Sequence, residues 1–141
     1  MKKLFLVLMA ASMLIVACNN QSGNTAANDT SATAPGDKPV MKFDKETHDF
    51  GKIKDGEKVT YEYKFTNTGK SPLIITDAKA SCGCTIPEWP KEPIKPGEAS
   101  KIKVTFNSAG KIGLQDKQIL VTANTNPAQN IVHLIGEVTS K

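Results

Sequence analysis

Arginine is missing from these 141 residues: all 18 basic side chains are lysine. Arginine is the usual residue for bidentate contacts to phosphate, carboxylate and guanine edges. Its absence, beside a formal charge of only +4, argues against nucleic acid as a partner. No block of like charge forms a basic or acidic tail. Aromatic residues are few, and the one tryptophan is Trp89. Several catalytic signatures are missing too: there is no Gly-x-Ser-x-Gly, no phosphate-cradling glycine loop and no His-Glu-x-x-His. Asp and Glu are scattered at turns and on polar faces, as solvated surface would be. The chain is therefore expected not to be an enzyme.

Long apolar runs are scarce as well. One stretch, Leu4 to Ala17, follows Lys2 and Lys3 and ends at Cys18. It is shorter than the ~20 residues a membrane-spanning helix needs. Its order of charged, apolar and small residues is that of a secretory signal peptide. The segment Leu14-Ile15-Val16-Ala17-Cys18 resembles the lipobox of bacterial lipoproteins. That resemblance implies removal of residues 1–17 and acylation of Cys18 at its thiol and its new amino terminus. Several acyl chains on one residue hold a protein stably at a membrane, where one short chain would not. None of Asn19, Asn20, Gln21 and Ser22 is acidic, unlike the acidic surface-export signals of some envelope lipoproteins. The expected location is the cell envelope, on the periplasmic face of the outer membrane. With the leader removed, 16 lysines face 14 acidic residues, so the apparent basicity falls to +2.

Residues 18–39 read as the lipidated terminus and a flexible linker. The segment is rich in Asn, Ser, Thr, Ala and Gly and has no aromatic residue, so it lacks apolar surface to bury. As a coil it would span roughly 25 Å.

Residues 40–141 have the size of one domain, and their hydrophobic period is two. Val59, Tyr61, Tyr63 and Phe65 alternate with Thr60, Glu62, Lys64 and Thr66. Ile102, Val104 and Phe106 alternate with Lys101, Lys103 and Thr105. Shorter strands are expected at 40–43, 48–53, 73–78, 118–123 and 131–138, separated by turn signals such as Asp55-Gly56 and Lys95-Pro96-Gly97. About seven short strands in some 100 residues predict an all-β, immunoglobulin-like sandwich. Exposed Lys64, Lys101 and Lys103 would oppose edge-to-edge association. Nothing calls for an oligomer, and a monomer is expected.

Residues 79–96 stand apart. Cys82-Gly83-Cys84 is followed by Pro87, Pro90, Pro93 and Pro96, with Trp89 among them. Such a stretch cannot pair as a central strand and is expected to be a long ordered loop. Three readings of Cys82 and Cys84 stay open. The first is a disulfide, for which an extended i, i+2 pair lies near the upper Cα limit of about 6.8 Å, while Gly83 lets the backbone contract. A loop this small returns only about 1.6 kcal/mol of chain entropy, so stability is a poor reason for the bond and thiol–disulfide exchange becomes conceivable. The second is a Cu(I) site, since Cu(I) favours sulfur and low coordination; zinc would want four ligands. His48 and His133 are distant in sequence, and His133, between Val132 and Leu134, reads as a structural residue. The third is a structural role at the end of a strand. No other cofactor is suggested.

An ordered set of motifs runs through the domain: Thr47-His48-Asp49-Phe50-Gly51-Lys52-Ile53, Gly56-Glu57, Phe65-Thr66-Asn67-Thr68-Gly69, Pro72-Leu73-Ile74-Ile75, Ser81-Cys82-Gly83-Cys84-Thr85, Pro96-Gly97-Glu98, Phe106-Asn107 and Leu134-Ile135-Gly136-Glu137-Val138. Over residues 43–138 it resembles the domain-of-unknown-function family 1573 of exported bacterial proteins. The resemblance implies an immunoglobulin-like domain of the major-sperm-protein type, and it carries no activity and no catalytic residue. The expected role is a lipid-anchored module that binds or scaffolds another envelope protein or a glycan; the alternative is copper binding or thiol–disulfide chemistry at Cys82 and Cys84.

Overall fold

The computed structural model describes residues 37–140. Cys18, the leader and most of the linker lie outside these residues. Eight strands follow one another: β1 Met41–Phe43, β2 Thr47–Lys54, β3 Lys58–Asn67, β4 Ile75–Ala80, β5 Thr85–Glu88, β6 Ala99–Asn107, β7 Gly113–Ala123 and β8 Gln129–Thr139. They form two four-stranded sheets, in the orders β1-β3-β6-β5 and β2-β8-β7-β4. Among the described residues no helix is long and apolar enough to cross a membrane.

The alternation seen in the sequence sets the layers. Tyr63, Phe65, Ile102, Val104 and Phe106 from the first sheet meet Ile119, Val121, Val132, Leu134 and Val138 from the second, and all ten are essentially inaccessible to water. Burying such side chains contributes roughly 1.5–3 kcal/mol each. The opposite face of the first sheet is polar. There Lys101 pairs with Glu62 at 2.7 Å and Lys103 with Glu88 at 3.2 Å. The N-terminal strand is divided between the sheets: β1 pairs antiparallel with β3, whereas β2 pairs parallel with β8.

Two elements differ from the sequence expectation. Part of the stretch read as a loop forms β5, which pairs antiparallel with β6. Pro87 sits within it because β5 is an edge strand and needs no donor on its open side. Further along, Trp89 packs against the core and Ile94 bridges to Leu73, so the remainder is an anchored connection. The other difference is β7, which begins at Gly113, five residues before the expected start.

The registers define two poles. At one end β3 finishes at Asn67, opposite Met41 of β1. Thr66 there faces Ala99 of β6. Asp37, the first described residue, accepts a hydrogen bond from the Ser71 hydroxyl at this pole. At the other end Lys58 faces Asn107, and Gly113 faces Val138. Ten residues of β3 separate the poles, about 30 Å of extended chain.

Candidate functional site at the Cys82–Cys84 pole

Cys82 and Cys84 lie at the pole away from Asp37. β4 leaves the second sheet at Ala80, and the chain crosses to the first sheet over Ser81-Cys82-Gly83-Cys84 before entering β5. Three backbone bonds pin this crossing. The Ser81 N–H donates to the Gln118 carbonyl at 2.9 Å, the Thr85 N–H to the Cys82 carbonyl at 3.2 Å, and the Asn107 N–H to the Cys84 carbonyl at 2.9 Å. Within that turn the two sulfurs are bonded to each other, with Cα atoms 5.3 Å apart.

Both cysteines are half-buried, and Gly83 between them is exposed. A Cβ at Gly83 would have no heavy atom within 4 Å, so the space over it is open. Thr85 is buried beneath the bridge. Its Oγ1 lies 3.7 Å from Cys82 Sγ and 3.8 Å from Cys84 Sγ. Beside the bridge is a cleft of about 230 Å³ lined by Lys58, Gly83, Cys84, Ile86, Thr105 and Asn107. The bridged pair offers no thiolate, so a Cu(I) site would first require the bond to be opened.

Neither histidine is brought to the sulfurs. His48 lies flat against Tyr61, with ring centroids 3.6 Å apart. His133 Nδ1 is 2.9 Å from an Asp116 carboxylate oxygen on the outer face of the second sheet. Among the described residues no group of three or more His, Cys, Asp and Glu is placed to hold a metal ion.

The same pole carries a feature the sequence reading missed. The ladder between β4 and β7 covers only Ile119–Ala123 of β7. Upstream, Gly113–Lys117 keep β8 on one side and have no strand on the other among the described residues. Leu114 in this segment is 87% exposed, and Ile112 just before it is 63% exposed. The only sequence signal was Leu114 itself, an apolar residue between Gly113 and Gln115. Thr85 entered the sequence reading only as the last residue of the Ser81-Cys82-Gly83-Cys84-Thr85 motif, with no role of its own.

No curated protein matches this sequence. Among solved structures, the chain is similar to a protein of unknown function from Porphyromonas gingivalis W83, with a TM-score of 0.65, 18% identity and 77% of this chain covered. The chain spans about half (51%) of that protein's length. It is also similar to the ASH/PapD-like domain 7 of human CEP192, with a TM-score of 0.54 and 12% identity over 86% of this chain and 99% of that one. The secreted serine protease VesC from Vibrio cholerae gives a TM-score of 0.55 at 10% identity, over 70% of this chain and 23% of that one. At these identities the likeness is one of fold: the sandwich is immunoglobulin-like, of the PapD-like kind. The sequence pattern of DUF1573, described as a protein of unknown function, matches residues 41–138, and the chain belongs to that family.

Proposed function

We propose that this chain is a non-enzymatic module, lipid-anchored through Cys18 in the bacterial envelope, that binds an extended segment of another envelope protein by strand addition to β7. The observation that carries this reading is the half-vacant edge: five residues of β7, Gly113–Lys117, have a strand neighbour on one side only. An edge of unpaired N–H and C=O groups is a template for an added strand, with pockets for alternate side chains giving specificity. Exposed Leu114 and Ile112 offer apolar side chains to a strand added there. A peptide is favoured over a glycan because the vacant groups are spaced as a backbone is.

The non-enzymatic reading rests on the side chains. The His133–Asp116 pair lies on the outer face of a sheet, with no nucleophile among its hydrogen-bonding partners in the described residues. The match to VesC covers less than a quarter of the protease and extends to fold alone. The pole geometry fits an anchored receptor. Asp37, the first described residue, lies at one pole and the vacant β7 edge at the other, the arrangement expected of a domain tethered upstream of Asp37.

The test is capture from envelopes by the full chain, with Leu114→Lys beside the natural sequence. Leu114 is 87% exposed, so the substitution leaves the fold unchanged and should abolish recovery of the partner. Equal recovery would overturn the β7-edge reading. A captured species lost on glycan cleavage rather than on proteolysis would overturn the peptide partner.

A further inference from the structure

Of the two bridged cysteines, Cys84 and not Cys82 lines the cleft beside β5. We propose that the Cys82–Cys84 bridge is a thiol–disulfide exchange site that accepts an electron pair from a cysteine dithiol in a protein substrate, with attack falling on Cys84 Sγ. The inference stands apart from strand addition at β7, because the cleft is lined from β3, β5, β6 and the turn itself.

Four observations converge. Access comes first: Cys84 lines the cleft, and the space over Gly83 is empty. The second is charge. Lys58 lines the same cleft, and a cation there favours approach of an anionic thiolate and its persistence near the sulfur. The third is the hydroxyl of Thr85, whose side-chain hydrogen-bonding neighbours among the described residues are the two sulfurs alone. A buried O–H beside a developing thiolate stabilises the anion and makes it a better leaving group. The fourth is the frame. The backbone bonds of Ser81, Thr85 and Asn107 hold the crossing without help from the sulfurs, so its backbone keeps these ties when the bridge opens.

The reaction balances with the bridge as its own oxidant. A substrate thiolate attacks Cys84 Sγ, a substrate-sulfur to Cys84-sulfur bond forms, and the Cys82–Cys84 bond breaks. Its electron pair goes to Cys82, which leaves as a thiolate facing Thr85. The second substrate thiol then attacks the substrate sulfur of the mixed disulfide and displaces Cys84. The products are a substrate disulfide and reduced Cys82 and Cys84. Two electrons have passed to this chain, and the two protons of the substrate thiols end on its cysteines. A protein disulfide of the exported compartment would restore the bridge by the reverse exchange.

The test uses the full chain purified in mild detergent without reductant, with glutathione as the probe. Peptide mapping by mass places any adduct on a named cysteine. The bridge should open, and the transient adduct should lie on Cys84. In Cys82→Ser the remaining Cys84 should trap oxidised glutathione at least about tenfold faster than Cys82 does in Cys84→Ser. Thr85→Val should slow opening about tenfold and raise the pH at which reduced Cys82 becomes alkylated, and Thr85→Ser should restore both. A merely structural Thr85 would not move that pH. A bridge that survives excess glutathione in the folded protein overturns the proposal, as does an adduct confined to Cys82. Reactivity that appears only after denaturation likewise identifies a structural bridge.

Discussion

The Tyr63 hydroxyl donates to the His133 carbonyl at 2.8 Å, joining the two sheets across the core. Tyr63 belongs to β3, His133 to β8, and the Tyr63 side chain is fully buried. Burial pushes its phenol well above the ordinary range for tyrosine, so the group remains a donor at every physiological pH. Tyr63→Phe keeps the ring and removes one hydrogen bond between the sheets. The expected cost is about 1 kcal/mol, since a neutral bond contributes roughly 0.5–1.5 kcal/mol net. In urea the midpoint should fall while the slope stays constant. An unchanged midpoint would show that the carbonyl finds equal satisfaction elsewhere.

Asn67 should be far less tolerant. It is fully buried at the pole where the described chain begins. Its Nδ2 donates to the carbonyls of Ser71 and Ile94, both at 2.9 Å. Its Oδ1 accepts from the N–H groups of Val40 at 3.3 Å and Gly69 at 3.0 Å. One amide thereby ties three segments together, and Gly69 packs so closely on Lys38 and Pro39 that it has no room for a Cβ. Asn67→Ala strands three backbone groups, the Ser71 carbonyl and the Val40 and Gly69 N–H groups, while the Ile94 carbonyl keeps the Leu73 N–H. Each stranded group carries a penalty of about 1–3 kcal/mol, with water relieving part of it. We expect a loss of about 3 kcal/mol or more, read by chemical denaturation. A loss under about 1 kcal/mol would mean that water fills the site at little cost.

The contrast between β3 and β7 shows which parts of this fold a sequence displays. In β3 the inward positions are Val59, Tyr61, Tyr63 and Phe65, and the outward ones are polar, so the period of two is plain. The first half of β7 reverses the code. Gly113, Gln115 and Lys117 lie opposite Val138, Gly136 and Leu134 and so share the inner face, while Leu114 points outward. Lys117 is accommodated there because its ammonium lies over the Phe106 ring, 5.5 Å from the centroid. Local periodicity therefore hid the segment that carries the proposed edge. β5 was hidden for another reason: four residues including Pro87 give no pattern, and its pairing with β6 is set by tertiary contact. The cysteines were visible as a pair. Their position opposite Asp37, and Thr85 beneath them, follow from strand registers that no local window contains.

The bridge should matter little for stability. It closes a three-residue segment, for which chain entropy supplies only about 1.6 kcal/mol, and neither cysteine belongs to the fully buried core. Replacing both Cys82 and Cys84 by Ser should leave a cooperative transition with Tm lowered by roughly 10 °C or less. Loss of the folded state in this double variant would restore the structural reading of the bridge.

Stability should also fall in mild acid through His48. Its ring lies 3.6 Å from that of Tyr61, with the two planes 5° apart. Burial lowers its pKa below 6.5; Asp49 opposes this by favouring the cation, and Lys45 adds a smaller push downward. The neutral imidazole is thus preferred in the folded state, and the unfolded chain binds the proton more readily. Stability is full above pH 6.5, the ordinary value, and declines as the pH falls through it toward the lowered value of the folded state. His48→Phe preserves an aromatic ring on Tyr61 and removes the titration. Urea midpoints from about pH 7.5 to about pH 5 should therefore drop more steeply for the natural protein than for the variant. Parallel profiles would assign the acid sensitivity to other groups and reduce His48 to a packing residue.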